Sequence, residues 1–177
     1  ITAQDSAIYQ NAMRVYNAED YKAASRELGN YIKRFGDKGF FILQANYYKA
    51  ECDFYTDKED EALVHYQYVV GQSRNEFTEK SLIKLSNTYY NRKKYEQAIV
   101  YYQKLEPIAA SKSTYLNSIL GQMRSHEFLS NFEQAKAKAI QLLPIENVPV
   151  ENLVEANMLL GRVQLQDSNY RSAKFHL

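Results

Sequence analysis

A short block recurs along this chain at an almost constant interval. It reads Ala18-Glu19-Asp20-Tyr21-Lys22-Ala23-Ala24, then Asp57-Lys58-Glu59-Asp60-Glu61-Ala62, then Lys93-Lys94-Tyr95-Glu96-Gln97-Ala98, then Ser130-Asn131-Phe132-Glu133-Gln134-Ala135, and last Ser168-Asn169-Tyr170-Arg171-Ser172-Ala173. The closing alanines, Ala24, Ala62, Ala98, Ala135 and Ala173, lie 38, 36, 37 and 38 residues apart. A period of that length marks a stack of similar two-element units, each burying its apolar face on the next, in place of one globular core.

Each unit carries two stretches of helical periodicity. In the second, Phe40, Phe41, Leu43, Ala45, Tyr47, Tyr48, Ala50, Cys52, Phe54 and Tyr55 form a broad apolar stripe. Thr56-Asp57 interrupts it, because short polar side chains compete for backbone hydrogen bonds and favour helix ends. A second stripe follows in Ala62, Leu63, Tyr66, Val69 and Val70, closed by Gly71 and a polar run. The same logic predicts helices over 3–17 and 20–34, 38–55 and 58–72, 76–91 and 94–106, 113–129 and 132–143, and 150–166 and 169–177. Pro107 and Pro144 fall just after second helices, where a residue without an N–H ends a helix at little cost. No long connection interrupts the pattern, which predicts a single domain of five hairpins over 3–35, 38–73, 76–107, 113–144 and 150–177.

The alanine has a steric reason. Two helices joined by a short turn must cross closely, and a small residue lets their backbones approach. The aromatic three residues earlier (Tyr21, Tyr95, Phe132, Tyr170) lies one turn back on the same face and fills the space beside the turn. Most of the 16 tyrosines are therefore expected to be structural. The second unit has Glu59 in place of the aromatic, so its turn is expected to pack less well.

Composition narrows the function classes. A net charge of +1 over 177 residues provides no global field toward nucleic acid or an anionic membrane. The charge is uneven: residues 1–78 carry −3 and residues 79–177 carry +4. The single cysteine, Cys52, permits no intrachain disulfide and is expected to be a buried helix residue. No apolar run approaches the ~20 residues of a membrane-spanning helix, so no membrane contact is expected. The chain begins at Ile1 and stops four residues after the last repeat alanine, which suggests a processed form or a piece of a longer protein.

These positions resemble the tetratricopeptide repeat family. The third unit matches best, with Leu82, Leu85-Ser86 and Tyr89 on the first helix, then Tyr95-Glu96-Gln97-Ala98, Tyr102 and Leu105. Tyr47-Tyr48-Lys49-Ala50-Glu51-Cys52 and Leu159-Leu160-Gly161 are similar to the family's aromatic-then-small signatures. The period departs from the family's usual 34, and the longer unit resembles the repeats of bacterial envelope proteins, which points to a periplasmic or envelope setting. The resemblance implies an all-α right-handed superhelix of helical hairpins whose first helices line a concave groove.

Catalytic motifs are missing: there is no nucleophile elbow, glycine-rich phosphate loop, His-Glu-x-x-His or paired-cysteine spacing. His65, His126 and His176 fall on different units. Asp57, Glu59, Asp60 and Glu61 sit at a turn and helix start, where acids favour the helix dipole. No enzyme activity, metal or cofactor is expected. The groove that the resemblance implies would be lined by Tyr9, Met13 and Tyr16, by Tyr47, Glu51, Phe54 and Tyr55, by Lys80, Lys84, Asn87 and Asn91, and by Arg124 and Arg162. It would be aromatic toward the amino end and cationic with amides toward the carboxyl end. Aromatics offer apolar contact, asparagines grip a peptide backbone, and Lys or Arg takes a carboxylate. Lys84, Asn87 and Arg124 supply the residue types of the family's carboxylate clamp but not its order. The expected partner is a protein or peptide segment held in this groove, with no role for nucleic acid. The alternative is an assembly module that self-associates through an uncovered last helix carrying Tyr170, Ala173, Phe175 and Leu177.

Overall fold

The computed structural model describes residues 3–175, with side chains through residue 168. The protein is all-α, and its helices pack in consecutive pairs. Among the described residues there are nine α-helices and no strand: α1 (Ala3–Asn17), α2 (Tyr21–Phe35), α3 (Ile42–Tyr55), α4 (Glu59–Gly71), α5 (Thr78–Asn91), α6 (Tyr95–Leu105), α7 (Lys112–Phe128), α8 (Phe132–Leu142) and α9 (Val150–Phe175). Single 3₁₀ turns follow α2 at Gly36–Lys38 and α6 at Glu106–Ile108, the latter opened by Pro107. Two compact units divide at Ser81–Leu82, within α5.

The four interior turns are one device used repeatedly. Glu19, Asp57, Lys93 and Ser130 all adopt the left-handed conformation, with φ between 58° and 61°. In each case the next residue's N–H reaches back five residues: Asp20 to Val15, Lys58 to Asp53, Lys94 to Tyr89 and Asn131 to His126, at 3.3, 2.8, 2.9 and 2.8 Å. The left-handed residue itself bonds the carbonyl three back, at 2.9 Å in three turns and 3.4 Å at Asp57. This is the Schellman ending, which satisfies orphan carbonyls at a helix C-terminus. The longest of the four bonds belongs to the turn with Glu59 in place of an aromatic. The following residue then serves as N-cap, its carbonyl accepting from the repeat alanine four residues on at 2.8–3.0 Å. Ala24, Ala62, Ala98 and Ala135 are all fully buried.

The fifth hairpin is not formed as expected. The helix predicted to stop at 166 and restart at 169 runs unbroken through Ser168-Asn169 as the 26-residue α9. The backbone continues as helix where the other four units take the left-handed turn. The side chains of Tyr170, Ala173 and Phe175, and all of His176 and Leu177, lie outside the described residues.

In the first unit, α1 packs on α2, α2 on α3 and α3 on α4. Its core gathers Ala12, Ala24, Leu28, Tyr31, Ala45 and Cys52, with Tyr9, Tyr16, Phe41 and Tyr48 packed around them. In the second unit, α6 packs on α7, α7 on α8 and α8 on α9. Leu116, Ile119, Met123, Leu142, Leu159 and Val163 are its main core side chains, with Phe132 packed against them. Buried aliphatic and aromatic side chains of this kind each contribute roughly 1.5–3 kcal/mol.

Candidate functional site

The expected groove residues fall into two sets, one in each compact unit. In the first unit Tyr9 stacks on Phe41 at 4.3 Å and meets Tyr31 edge-on. Tyr16 meets both Tyr21 and Tyr48 edge-on. Met13 lies half-buried among them. Tyr47 belongs to the core: it is 7% exposed and stacks on Phe77 at 4.3 Å. Glu51 accepts a hydrogen bond from the buried Tyr66 hydroxyl. Burial first, and then this bond to a carboxylate, raise the Tyr66 phenol far above its ordinary range. Burial likewise raises Tyr9, Tyr16 and Tyr47. Tyr55 stays 56% exposed while stacking on Tyr21 at 4.6 Å, and Phe54 is half-buried. Lys80, on the first turn of α5, is exposed.

In the second unit Lys84 is half-buried and Asn91 exposed. The Asn87 carboxamide oxygen accepts from the Tyr102 hydroxyl at 2.9 Å and from Asn117 Nδ2 at 3.3 Å. Arg124 is fully engaged: its Nε and Nη2 donate to the two Glu155 oxygens at 2.7 and 2.6 Å. That bidentate bond outweighs burial and raises the Arg124 pKa further. Arg162 donates to Glu127. The two arginines of the expected groove are thus neutralised by two acids, Glu155 and Glu127, that the sequence does not single out.

These residues share a register. Met13, Glu51, Asn87, Arg124 and Arg162 recur at 38, 36, 37 and 38 residues, the same intervals as the alanines. Each therefore holds the equivalent place on α1, α3, α5, α7 and α9. The packing positions keep their character from repeat to repeat, whereas this place passes from thioether to carboxylate, carboxamide and guanidinium.

Beside this register in the second unit lies an open cavity of about 410 Å³. Leu116 and Leu120 of α7 and Pro149 form its apolar floor. Asn117, Asn147, Asn152 and Lys112 rim it. Asn147 takes φ 53° at the turn into α9, and the Lys112 ammonium donates to the Glu146 carbonyl, joining both ends of the rim. Asn117 and Leu120 lie on α7, a first helix of its hairpin; Asn147 and Asn152 belong to a connection and a helix start and carry no periodic signal.

Three polar clusters complete the picture. In the first unit, Asp5 accepts from the Tyr31 hydroxyl and, at 3.0 Å, from the Phe40 N–H. Burial, then the bond to Asp5, push Tyr31 up to about 12. Also in the first unit, Asp53, fully buried, accepts from Ser25 Oγ at 2.5 Å and from the Lys49 ammonium at 2.8 Å, while Lys49 also donates to Ser25 at 2.9 Å. Glu51 and Asp53, two apart on α3, serve different partners, as their opposed helical directions require. In the second unit, Glu106 accepts from Gln122, Lys138 and Gln141 at 2.6–2.7 Å. Burial pushes its carboxyl up, but the three donors prevail and hold it below the ordinary carboxylate range.

His65 Nδ1 faces Asn46 Oδ1 at 2.8 Å, and Asn46 Nδ2 donates to the Ile42 carbonyl at 2.8 Å. With the amide so oriented, Nδ1 carries the proton of a neutral ring. Burial, then the Lys49 charge, lower His65 to about 4. Cys52 is buried, and burial followed by the Asp53 charge pushes its thiol up to about 12, which leaves it unreactive as a thiolate. Among the described residues no three His, Cys, Asp or Glu side chains come together as metal ligands, and no helix is long and apolar enough to cross a membrane. No family model matches this chain, and no curated protein matches it.

Proposed function

We propose that this protein is a non-catalytic scaffold of the tetratricopeptide type that holds an extended peptide segment of another protein on its first-helix faces. The observation that carries the reading is the cavity of about 410 Å³ in the second unit, with its leucine floor and asparagine rim. An extended peptide offers alternating side chains and backbone amides. The apolar floor suits one side chain, and each asparagine can both donate to and accept from the peptide backbone. The variable register supports the same reading, because it changes chemistry along a framework that otherwise repeats. Panning a peptide library against the whole chain and titrating the selected peptides tests this. The double variant Asn117→Asp/Asn152→Asp is expected to weaken binding by about 2 kcal/mol or more, from two lost amide contacts. Selected peptides that bind the double variant with unchanged affinity overturn the assignment.

One observation favours an assembly role as a second reading. Val150, Val154, Met158 and Leu165 lie along one side of α9 and are 50–71% exposed. Concentration-independent monomeric sedimentation would remove that reading.

A further inference from the structure

A second cavity, of about 400 Å³, opens in the first unit between α2, α3 and the start of α4. The region around it is net acidic, yet every charged side chain that lines it is a cation: Lys22, Arg26, Lys49 and Lys58. Two of the four have a carboxylate in contact. Lys49 is held by Asp53 from behind, and Arg26 meets the neighbouring Glu27 at 3.3 Å. Lys22 and Lys58 stand exposed at the rim. Ser25 forms the floor at 6% exposure, its hydroxyl already oriented by Asp53 and Lys49. Gly29 forms a wall without a side chain; a Cβ there would touch Lys49 Cε at 3.5 Å. Glycine inside a helix costs about 1 kcal/mol relative to alanine, and here its bareness keeps the space above Lys49 open.

Like charges converging on a concave, partly desolvated surface focus a positive potential and raise the local concentration of anions. The cations come from three separate elements, so they can surround a ligand and not merely touch one side of it. With Lys49 and Arg26 each in contact with a carboxylate, the charges of Lys22 and Lys58 remain, and a monoanion would match only one of them. We propose that this cavity binds a small-molecule diphosphate, with Lys49 and Ser25 beneath it and Lys22, Arg26 and Lys58 around it.

The experiment is calorimetric titration of the full chain with inorganic pyrophosphate at low ionic strength, where surface charge is least screened, with inorganic phosphate and citrate as comparison anions. The expected result is saturable binding of pyrophosphate, at least about tenfold tighter than of phosphate, given the extra charges paired, and at least about tenfold tighter than of citrate, which carries similar charge on separated carboxylates and so controls for charge alone. Lys22→Glu/Lys58→Glu, at two exposed positions, should weaken binding by more than about tenfold. Gly29→Leu should do the same by filling the space, with helical circular dichroism retained. Lys94→Glu is the matched control, because Lys94 precedes α6 as Lys58 precedes α4. Should the double reversal fail to fold, Lys22→Gln/Lys58→Gln measures the same loss in smaller steps. No saturable binding, citrate binding as tight as pyrophosphate, or an equal loss in Lys94→Glu would each overturn the proposal.

Discussion

The two compact units build the same corner and surround it with different chemistry. In the first, Tyr16 meets Tyr21 edge-on at 5.6 Å and 66°, and Tyr21 stacks on Tyr55 at 4.6 Å. In the second, Tyr90 meets Tyr95 at 5.6 Å and 67°, and Tyr95 stacks on Phe128 at 4.6 Å. The third ring is tyrosine in one unit and phenylalanine in the other, at the same centroid distance, so the stacking survives the change of side chain. Fifteen residues apart in each unit, a buried tyrosine hydroxyl reaches an acceptor on the preceding helix: Tyr66 to Glu51 and Tyr102 to Asn87. The acceptor differs, and so does the fate of charge. The first unit buries its Lys49–Asp53 pair, whereas the Arg124–Glu155 side chains of the second remain about one third exposed. Repetition sets the packing geometry, and the residues it leaves free decide where charge is kept from water.

That contrast can be broken by removing one acid from each unit. Asp53→Ala should cost about 3 kcal/mol or more, because Lys49 and Ser25 are left with an uncompensated charge in a buried site. Glu155→Ala should cost about 1 kcal/mol or less, since water can solvate Arg124. Urea unfolding of both variants measures the pair, and equal losses would refute the distinction.

A pH series sharpens it. Because the folded state holds His65 near 4, below its unfolded value of 6.5, neutral His65 contributes stability above pH 6.5 that is lost as pH falls toward 4. For a half-buried ring the loss is on the order of 2 kcal/mol. His65→Gln should flatten the denaturation midpoint over that window relative to wild type, and an unchanged slope would count against the burial argument.

The smallest effects come from two glycines, with opposite signs. A Cβ at Gly121 would meet the Tyr102 ring at 2.3 Å, and that ring is 2% exposed and tethered to Asn87. Gly121→Ala should therefore destabilise by about 1–2 kcal/mol even after the gain in helix propensity. Gly29→Ala meets only the Lys49 side chain, at ordinary contact distance, and should stabilise by about 1 kcal/mol. Thermal melts that place both variants on the same side of wild type would contradict this.

Much of the fold was legible because it is periodic. The first eight helices fall within a few residues of their expected bounds, since apolar spacing and the repeated alanines report local geometry directly. Phe40 and Phe41 precede α3 instead of beginning it, because the Gly39 N–H bonds Gly36 and the chain turns there. The site was legible only in part. Met13, Glu51, Asn87 and Arg124 have the right register, but register does not name partners. Asp5–Tyr31, Ser25–Asp53 and Arg124–Glu155 join residues 26 to 31 apart in the chain. Such pairs leave no pattern in one sequence, and Glu155 looks there like any solvated acid.

The unbroken α9 shows how little of a turn resides in its own residues. Ser130-Asn131 and Ser168-Asn169 are the same dipeptide, followed in each case by an aromatic. The first pair takes a left-handed turn and the second stays helical. A left-handed residue costs ~1–2 kcal/mol relative to a right-handed one. At Ser130 that cost is met by Phe132 entering a core cluster. The dipeptide behaves as a chameleon: its own residues admit both shapes, and at Ser130 the reversal goes with a ring packed into the core.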